Sequence, residues 1–300
     1  MIIMFHKLKR YLHNPYLALG EDLISRNPKL LSDKLYLSVL WKMLMGYELD
    51  WNNPKTFNEK LQWLKLHDHN SLYTTLVDKY RVKQWVAEKI GPEHIIPTIK
   101  VFNSVEDISL DSLPDQFVLK CNHDSGSLAI CRNKQTFDLE AAKCKMAKGL
   151  ARNFYWDARE WAYKHVKRVV FAEKYMENPS SIDLLTYKFL CFSGEPFIMY
   201  VTVKNENVFE DYFDMDFNPL DIHRKWPNSQ LPIVKPACFE EMKRIAKDLS
   251  QGFTHVRIDL YEIDGHVYFS EYTFYDWGGL FTFSPEIWDR RLGDMIQLHH

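Results

Sequence analysis

The sequence predicts an α+β fold, in which antiparallel hairpins and helices form separate packed layers. Three observations predict it. Asp264-Gly265, the strongest kind of short hairpin signal, stands between two β-rich runs over 256–273. Two more strand pairs, over 113–131 and 182–203, turn at Ser125-Gly126-Ser127 and at Ser193-Gly194-Glu195-Pro196. Helical periodicity fills much of the remainder. Neither a Walker motif nor a GxGxxG occurs, so neither a P-loop enzyme nor a Rossmann dehydrogenase is indicated.

At 300 residues, 46% hydrophobic and 26% charged, the chain has the composition of a soluble protein with one sizeable core or two linked ones. A net charge of −2 argues against a nucleic-acid partner, which calls for a basic excess. Five cysteines, an odd number without a CxxC pair, read as reduced thiols of a cytoplasmic protein. The opening MIIMFHKLKRYL meets charges too soon for a signal peptide or a spanning helix. Aromatic residues make up 15%, which suits cores and sugar-stacking surfaces alike.

Residues 1–75 read as a helical segment. Leu12, Leu17 and Leu19, then Leu35, Leu37, Val39, Leu40 and Leu44, recur at helical spacing, with breaks at Asn14-Pro15, Asn27-Pro28 and Trp51-Asn-Asn-Pro54. Thr56 and Glu59 form a capping box for a helix over 57–66. Lys7, Lys9, Arg10 and Lys34 give this segment a basic face, ordinarily a solvated one. Peripheral contact with the inner face of a membrane is its second reading. His67-Asp68-His69 lacks further ligands at metal spacing and reads as a polar loop.

Residues 76–172 form the next unit. A helix over 78–90 ends at Gly91-Pro92, and a strand broken by Pro97 follows. The strand over 113–120 carries Lys120 near its end, and its serine-glycine loop presents N–H groups and hydroxyls suited to phosphate. A plain hairpin with a snorkelling lysine is the ordinary alternative. A helical run over 138–168 contains the basic residues Arg152, Arg159, Lys164, Lys167 and Arg168. A buried-type strand over 169–176 leads into the last unit, 173–300. There a helix over 236–251 turns Phe239, Met242, Ile245, Ala246 and Leu249 to one face and precedes the Asp264-Gly265 hairpin.

The length of that hairpin's loop decides its use. A two-residue loop sends Asp259 and Glu271 to opposite faces, because side chains alternate along a strand. A three-residue loop, Ile263-Asp264-Gly265 with a bulge at Gly265, gathers Arg257, Asp259, Tyr261, Glu271 and Thr273 on one face. Val256, Ile258, Leu260 and Tyr268 then turn to a core, and this register is the one expected. Two carboxylates on one face repel unless a cation such as Mg2+ joins them. Taken alone, a cross-strand salt bridge between Arg257 and Glu271 is the ordinary reading.

The order of Asp78-Lys79, Lys120, the serine-glycine loop, Ala172-Glu173-Lys174-Tyr175-Met176, Arg257-x-Asp259 and Glu271 resembles the ATP-grasp superfamily. The phrases over 54–66, Val77-Asp-Lys-Tyr and 117–126 resemble the TupA-like ATP-grasp proteins of surface-polysaccharide biosynthesis, across most of the chain from residue 32. The resemblance implies an ATP-grasp fold, two α+β subdomains clasping ATP, behind the helical segment. It implies that Lys79, Lys120 and Lys188 hold phosphates and that Ser125, Gly126 and Ser127 form the lid. Glu173 would take the adenine amino group, with the backbone at Lys174 and Met176 at the ring edge and Asp183 on the ribose. Asp259 and Glu271 match the Mg2+ ligands, and Arg257 matches the arginine beside the reacting carboxyl, with Lys120 as its catalytic companion. Two features depart from the pattern. Thr273 stands where the third metal ligand is usually asparagine, and short helices replace the usual leading α/β domain.

The expected activity is an ATP- and Mg2+-dependent ligase that phosphorylates a carboxylate and hands the acyl group to an amine. Arg257 and the backbone of Gly278-Gly279 could stabilise the oxyanion, although an ordinary turn is the plainer reading of the glycines. The family points to a uronate-type sugar and an amino acid as partners. The basic cluster at 152–168, with Trp156 and Trp161, is the expected contact for an anionic glycan; a solvated face with core tryptophans is the ordinary alternative. A glycosyltransferase of the same pathway and a nucleotide-binding scaffold remain as alternatives.

Overall fold

A computed structural model describes residues 28–177, 184–204, 207–229 and 232–298. The expected helices around Leu12, Leu17 and Leu19, the basic Lys7, Lys9 and Arg10, the turn at 178–181 and Asp183 lie outside these residues.

Short helices come first, each started by a side chain. Ser32 caps α1 (Asp33–Met45), which Gly46 ends at φ 85°. Thr56 and Glu59 make the expected capping box on α2 (Phe57–His67). After α3 (Leu72–Leu76), helix α4 is shorter than expected, Val82–Ile90. The reason is Asp78, whose Oδ1 accepts the N–H groups of Tyr80 and Arg81 and holds residues 78–81 in a turn.

Four antiparallel strands make the first sheet: β1 (Thr98–Phe102), β2 (Phe117–Cys121), β3 (Leu128–Cys131) and β4 (Val170–Lys174), in the order β1-β4-β2-β3. Strand β4 runs through the boundary expected at 172/173. Helix α5 (Leu139–Ala151) closes this layer's core, with Met146 packed on Phe117, Leu119 and Val170. The continuous helix expected over 138–168 breaks. Arg152 is extended, and Asn153 Oδ1 accepts the N–H of Tyr155 to start α6 (Tyr155–Ala158).

The second sheet is the larger, ordered β10-β9-β5-β6-β7-β8: β5 (Thr186–Phe192), β6 (Glu195–Lys204), β7 (Val208–Asp214), β8 (Pro219–Leu220), β9 (His255–Ile263) and β10 (His266–Thr273). Helix α7 (Phe239–Ser250) lays Phe239, Met242, Ile245, Ala246 and Leu249 on the face formed by Val256, Ile258 and Leu260. All eight are fully buried, each larger one contributing about 1.5–3 kcal/mol. Helix α8 (Ile287–Asp294) is tied to α2 by Asp289, which accepts both the backbone N–H and the side-chain amide of Asn58.

The hairpin register corrects the sequence reading in its route. Ile263 pairs with His266, so the loop has two residues, with φ of 52° at Asp264 and 74° at Gly265. Positive φ at both positions suits the twist of a tight hairpin. The extra residue sits instead at Ser270: Leu260 pairs with Phe269, and Asp259 pairs with Glu271. That bulge resets the alternation and returns Glu271 to the face of Asp259. Tyr268, opposite Tyr261, shares that face rather than the core.

Candidate functional site

The two sheets enclose a cavity of about 200 Å3. From the first come Lys120 at the end of β2, Ser125-Gly126-Ser127 in the β2–β3 loop and Glu173 in β4; Lys79 joins them from the turn before α4. Lys188 of β5, Asp259 of β9, and Ser270 and Glu271 of β10 face them. Lys79 is placed by a buried latch. Its N–H donates to Asn122 O (2.9 Å), and Asn122 Nδ2 donates to Asp78 Oδ2 (2.8 Å). Gly126, at φ 102°, lets the loop turn where a side chain would be strained.

Charges in this cavity are matched in detail. Lys120 reaches Glu173 Oε1 at 2.5 Å, and Lys83 reaches Oε2 at 2.6 Å. Burial alone would raise the Glu173 pKa, but Lys120 and Lys83 outweigh it and hold the carboxylate ionised. Lys79 pairs with Glu271 at 2.9 Å, and Lys188 with Asp259 at 2.5 Å. Burial again opposes ionisation of Glu271, and Lys79, Lys188 and Arg257 together drive its pKa well below the carboxylate range. Arg257 grips Asp259 with two nitrogens (2.6 and 2.8 Å), and its Nη2 also reaches Glu271 Oε1 at 3.2 Å. The two carboxylates therefore converge on one guanidinium nitrogen.

A second cavity, about 590 Å3, adjoins the first and shares Lys79, Ser125, Lys188 and Glu271 with it. Arg257, Thr273, Glu160 and Gly278 line it, between walls that include Tyr163, Trp226 and Trp277. Arg257 is fixed from behind by Asp276 Oδ1 at 2.6 Å. Asp276 in turn takes a hydrogen bond from Tyr200 at 2.7 Å and an ion pair from Arg224. Buried, but facing two arginines, Asp276 stays ionised to very low pH.

Most of the residues expected to form the site are thus brought together: Lys79, Lys120, Ser125, Gly126, Ser127, Glu173, Lys188, Asp259 and Glu271 in one cavity, Arg257 and Thr273 in the adjoining one. Lys174 is placed apart. Its side chain lines a separate hollow beside Arg132 and Tyr175, and its backbone N–H is bonded to Pro97 O at 3.0 Å. Met176 follows β4, half-buried. Gly278 and Gly279 do form a turn, with carbonyls held by Gln62 and Lys65. The basic cluster is not one surface. Arg159 is wholly buried, paired with Asp33 at 2.9 Å and stacked over Tyr36, and Trp161 stacks on His69.

Lys83 and Asp276 are among the residues that the sequence reading does not mark. Lys83 stands one helical turn after Lys79, a spacing that could have marked it. Asp276 follows an apolar run with no pattern of its own, and nothing in the sequence signals its arginines.

The donor set suits Mg2+. Among the described residues no group of three or more His, Cys, Asp or Glu could hold a metal ion. Two convergent carboxylates fit a cation that keeps waters and takes its other oxygens from phosphates, and Thr273, two residues beyond Glu271 on the same strand, lines the adjoining cavity.

A sequence model of the TupA-like ATP-grasp family matches residues 59–297. Among solved structures, the D-alanine–D-alanine ligase of Bacillus anthracis is 18% identical, with a TM-score of 0.42 over 78% of this chain and 72% of that one. The same enzyme complexed with ATP is 16% identical, with a TM-score of 0.40 over 74% and 65%. The N5-carboxyaminoimidazole synthase of Aspergillus clavatus, with ADP and 5-aminoimidazole ribonucleotide, is 14% identical, with a TM-score of 0.39 over 67% and 44%. The chain thus spans less than two thirds of the length of these last two. No curated protein matches it. The family match covers four fifths of the sequence and contains every residue of both cavities from Lys79 onward, and so the chain belongs to the TupA-like ATP-grasp family.

Proposed function

We propose that the protein is an ATP-dependent carboxylate–amine ligase, joining an amino acid to a uronate-type sugar of a capsular or other surface polysaccharide. One observation carries the reading: three lysines and two convergent carboxylates meet in a single cleft between two sheets. Lys79, Lys120 and Lys188 would neutralise a triphosphate, and the Ser125-Gly126-Ser127 loop would close over it. Glu173, with Lys83 behind it, marks the adenine end. Asp259 and Glu271 would hold Mg2+, which when bound screens the phosphate charge.

The substrate carboxylate then attacks the γ-phosphorus; the new P–O bond forms as the bond to ADP breaks. Arg257 is locked in orientation, its five N–H donors engaged by Asp259, Asp276, Tyr200 and Glu271, and it lines the second cavity, where its fixed positive charge would face the acyl group. No helix among the described residues is long and apolar enough to cross a membrane. The family and the anionic charge of uronates favour the sugar assignment.

The test is phosphate release with ATP, Mg2+, a panel of uronate donors and a panel of amino acids. Release that requires both a carboxylate and an amine supports the ligase. Sugar transfer from a nucleotide-sugar without ATP would overturn it in favour of a glycosyltransferase. ATP binding with no turnover on any pair would favour a scaffold.

A further inference from the structure

Glu160 is a buried carboxylate that nothing in the protein uses. It is 6% exposed, lines the second cavity, and has no side-chain hydrogen bond or ion pair among the described residues. Such a group costs several kcal/mol unless a partner arrives. The chain takes trouble to put it there. Arg159, at φ 54°, turns the backbone sharply, and its buried guanidinium is pinned by Asp33 and by the faces of Tyr36 and Trp156. The next side chain is thereby aimed inward, with Oε1 lying against Gly278, 3.5 Å from where a Cβ would stand there.

The nearest buried cation does not satisfy it. Lys65 donates instead to Gln62 Oε1 (2.9 Å) and Gly278 O (2.8 Å). Burial pushes the Glu160 carboxyl up to about 7, against the pull of Lys65 and Arg257 and with the push of Asp157 and Asp276. The same cavity holds three covered polar groups without partners, the hydroxyls of Thr202 and Tyr275 and the indole N–H of Trp277. At about 590 Å3 it is the size of a small-molecule site, and its Tyr163, Trp226 and Trp277 offer flat apolar faces. Glu271 and Arg257, where the acyl group would form, line the same cavity, and Arg257 is near enough to act on the Glu160 carboxyl.

We infer that this cavity is the amine-substrate site, in which Glu160 binds the ammonium of a compound with a flat body, an amino acid or an amino sugar. The inference rests on the ligase reading and names its second substrate. Glu160 takes one proton from the ammonium, and the freed nitrogen attacks the acyl phosphate. The C–N bond forms, the C–O bond breaks, and phosphate departs with the electron pair and the second proton.

The experiment is calorimetric titration of the full chain with tyramine and D-glucosamine, against their neutral counterparts tyrosol and D-glucose, with ATP–Mg2+ titrated separately. At least one amine should bind roughly tenfold or more tighter than its alcohol. Glu160→Gln should erase that preference, leave ATP–Mg2+ affinity unchanged and keep or raise Tm, because it removes an unpaired buried charge. Preference for tyramine points to an amino acid, and preference for glucosamine to an amino sugar; both support the site. Amines that bind no better than alcohols, no binding of either amine at millimolar concentration, or a Glu160→Gln variant that retains the preference or melts lower would overturn it. Failure of ATP to bind while the amine preference stands would sink the ligase reading alone.

Discussion

Asn122 donates its amide to Asp78 at 2.8 Å, joining the end of β2 to the turn that carries Lys79. The same amide reaches Lys167 O at 2.9 Å, and its oxygen accepts the N–H of Val169 at 2.8 Å. One side chain thus satisfies three buried groups and sets the position of a cleft lysine. Asn122→Ala should destabilise the fold by about 3 kcal/mol, since each buried group left unpaired costs about 1–3 kcal/mol. ATP affinity should fall as well, through a displaced Lys79. Urea denaturation decides it: an unchanged midpoint would remove the latch from the account.

Lys79 and Lys120 should each matter to the nucleotide. Changing either to Ala should weaken ATP binding by about 1.5–3 kcal/mol, the range for charge-assisted hydrogen bonds. Both side chains are partly exposed in the cleft, so the fold should survive. Titration of each variant with ATP is the check, and wild-type affinity in both would end the phosphate assignment.

Asp259 stands under a heavier load. It is gripped by Arg257 and Lys188 and 1% exposed, so Asp259→Asn leaves two buried cations short of a partner. Turnover should be lost and Mg2+ dependence abolished, while ATP binding persists in weakened form. Mg2+-dependent phosphate release at the wild-type rate would contradict the metal assignment.

The capping box at Thr56, the turn at Asp264-Gly265 and the apolar face of α7 were legible because each is a short-range device with its own residue signature. The lysines and carboxylates of the cleft were legible through family resemblance, since spacing alone left them as salt bridges. The bulge falls at Ser270, inside β10, and not at Gly265 in the loop. Gly265 advertises positive φ, whereas Ser270 carries no local mark and is extruded only because Glu271 and Thr273 belong opposite Asp259 and Arg257. Asp276 and Glu160 stayed hidden for a related reason. Asp276 meets Arg224 from far along the chain, Glu160 is buried without a partner, and burial of a charge is a tertiary fact.

Glu210 of β7 offers a test of that buried electrostatics by pH. It is 0% exposed, its Oε1 has no partner, and its Oε2 takes a long bond from Tyr212 at 3.3 Å. Burial first, then the nearby Asp276, raise its pKa from 4.5 to about 7, against the pull of Arg224, Lys188 and Arg257. Below 4.5 both folded and unfolded chains hold the proton, and the group costs nothing. Between 4.5 and about 7 the unfolded chain ionises while the folded one keeps its proton, so this group's contribution to stability falls as pH rises. Above that window the folded carboxylate is ionised too, and the penalty levels off. Glu210→Gln keeps the shape and the bond from Tyr212 but cannot ionise. Its stability relative to wild type should therefore climb between pH 4.5 and 7, by at most about 3 kcal/mol, and then stay flat. Comparing urea midpoints of the two proteins at half-unit pH steps isolates Glu210 from Glu160, which titrates in the same window in both. A difference independent of pH would show that Glu210 is paired or solvated.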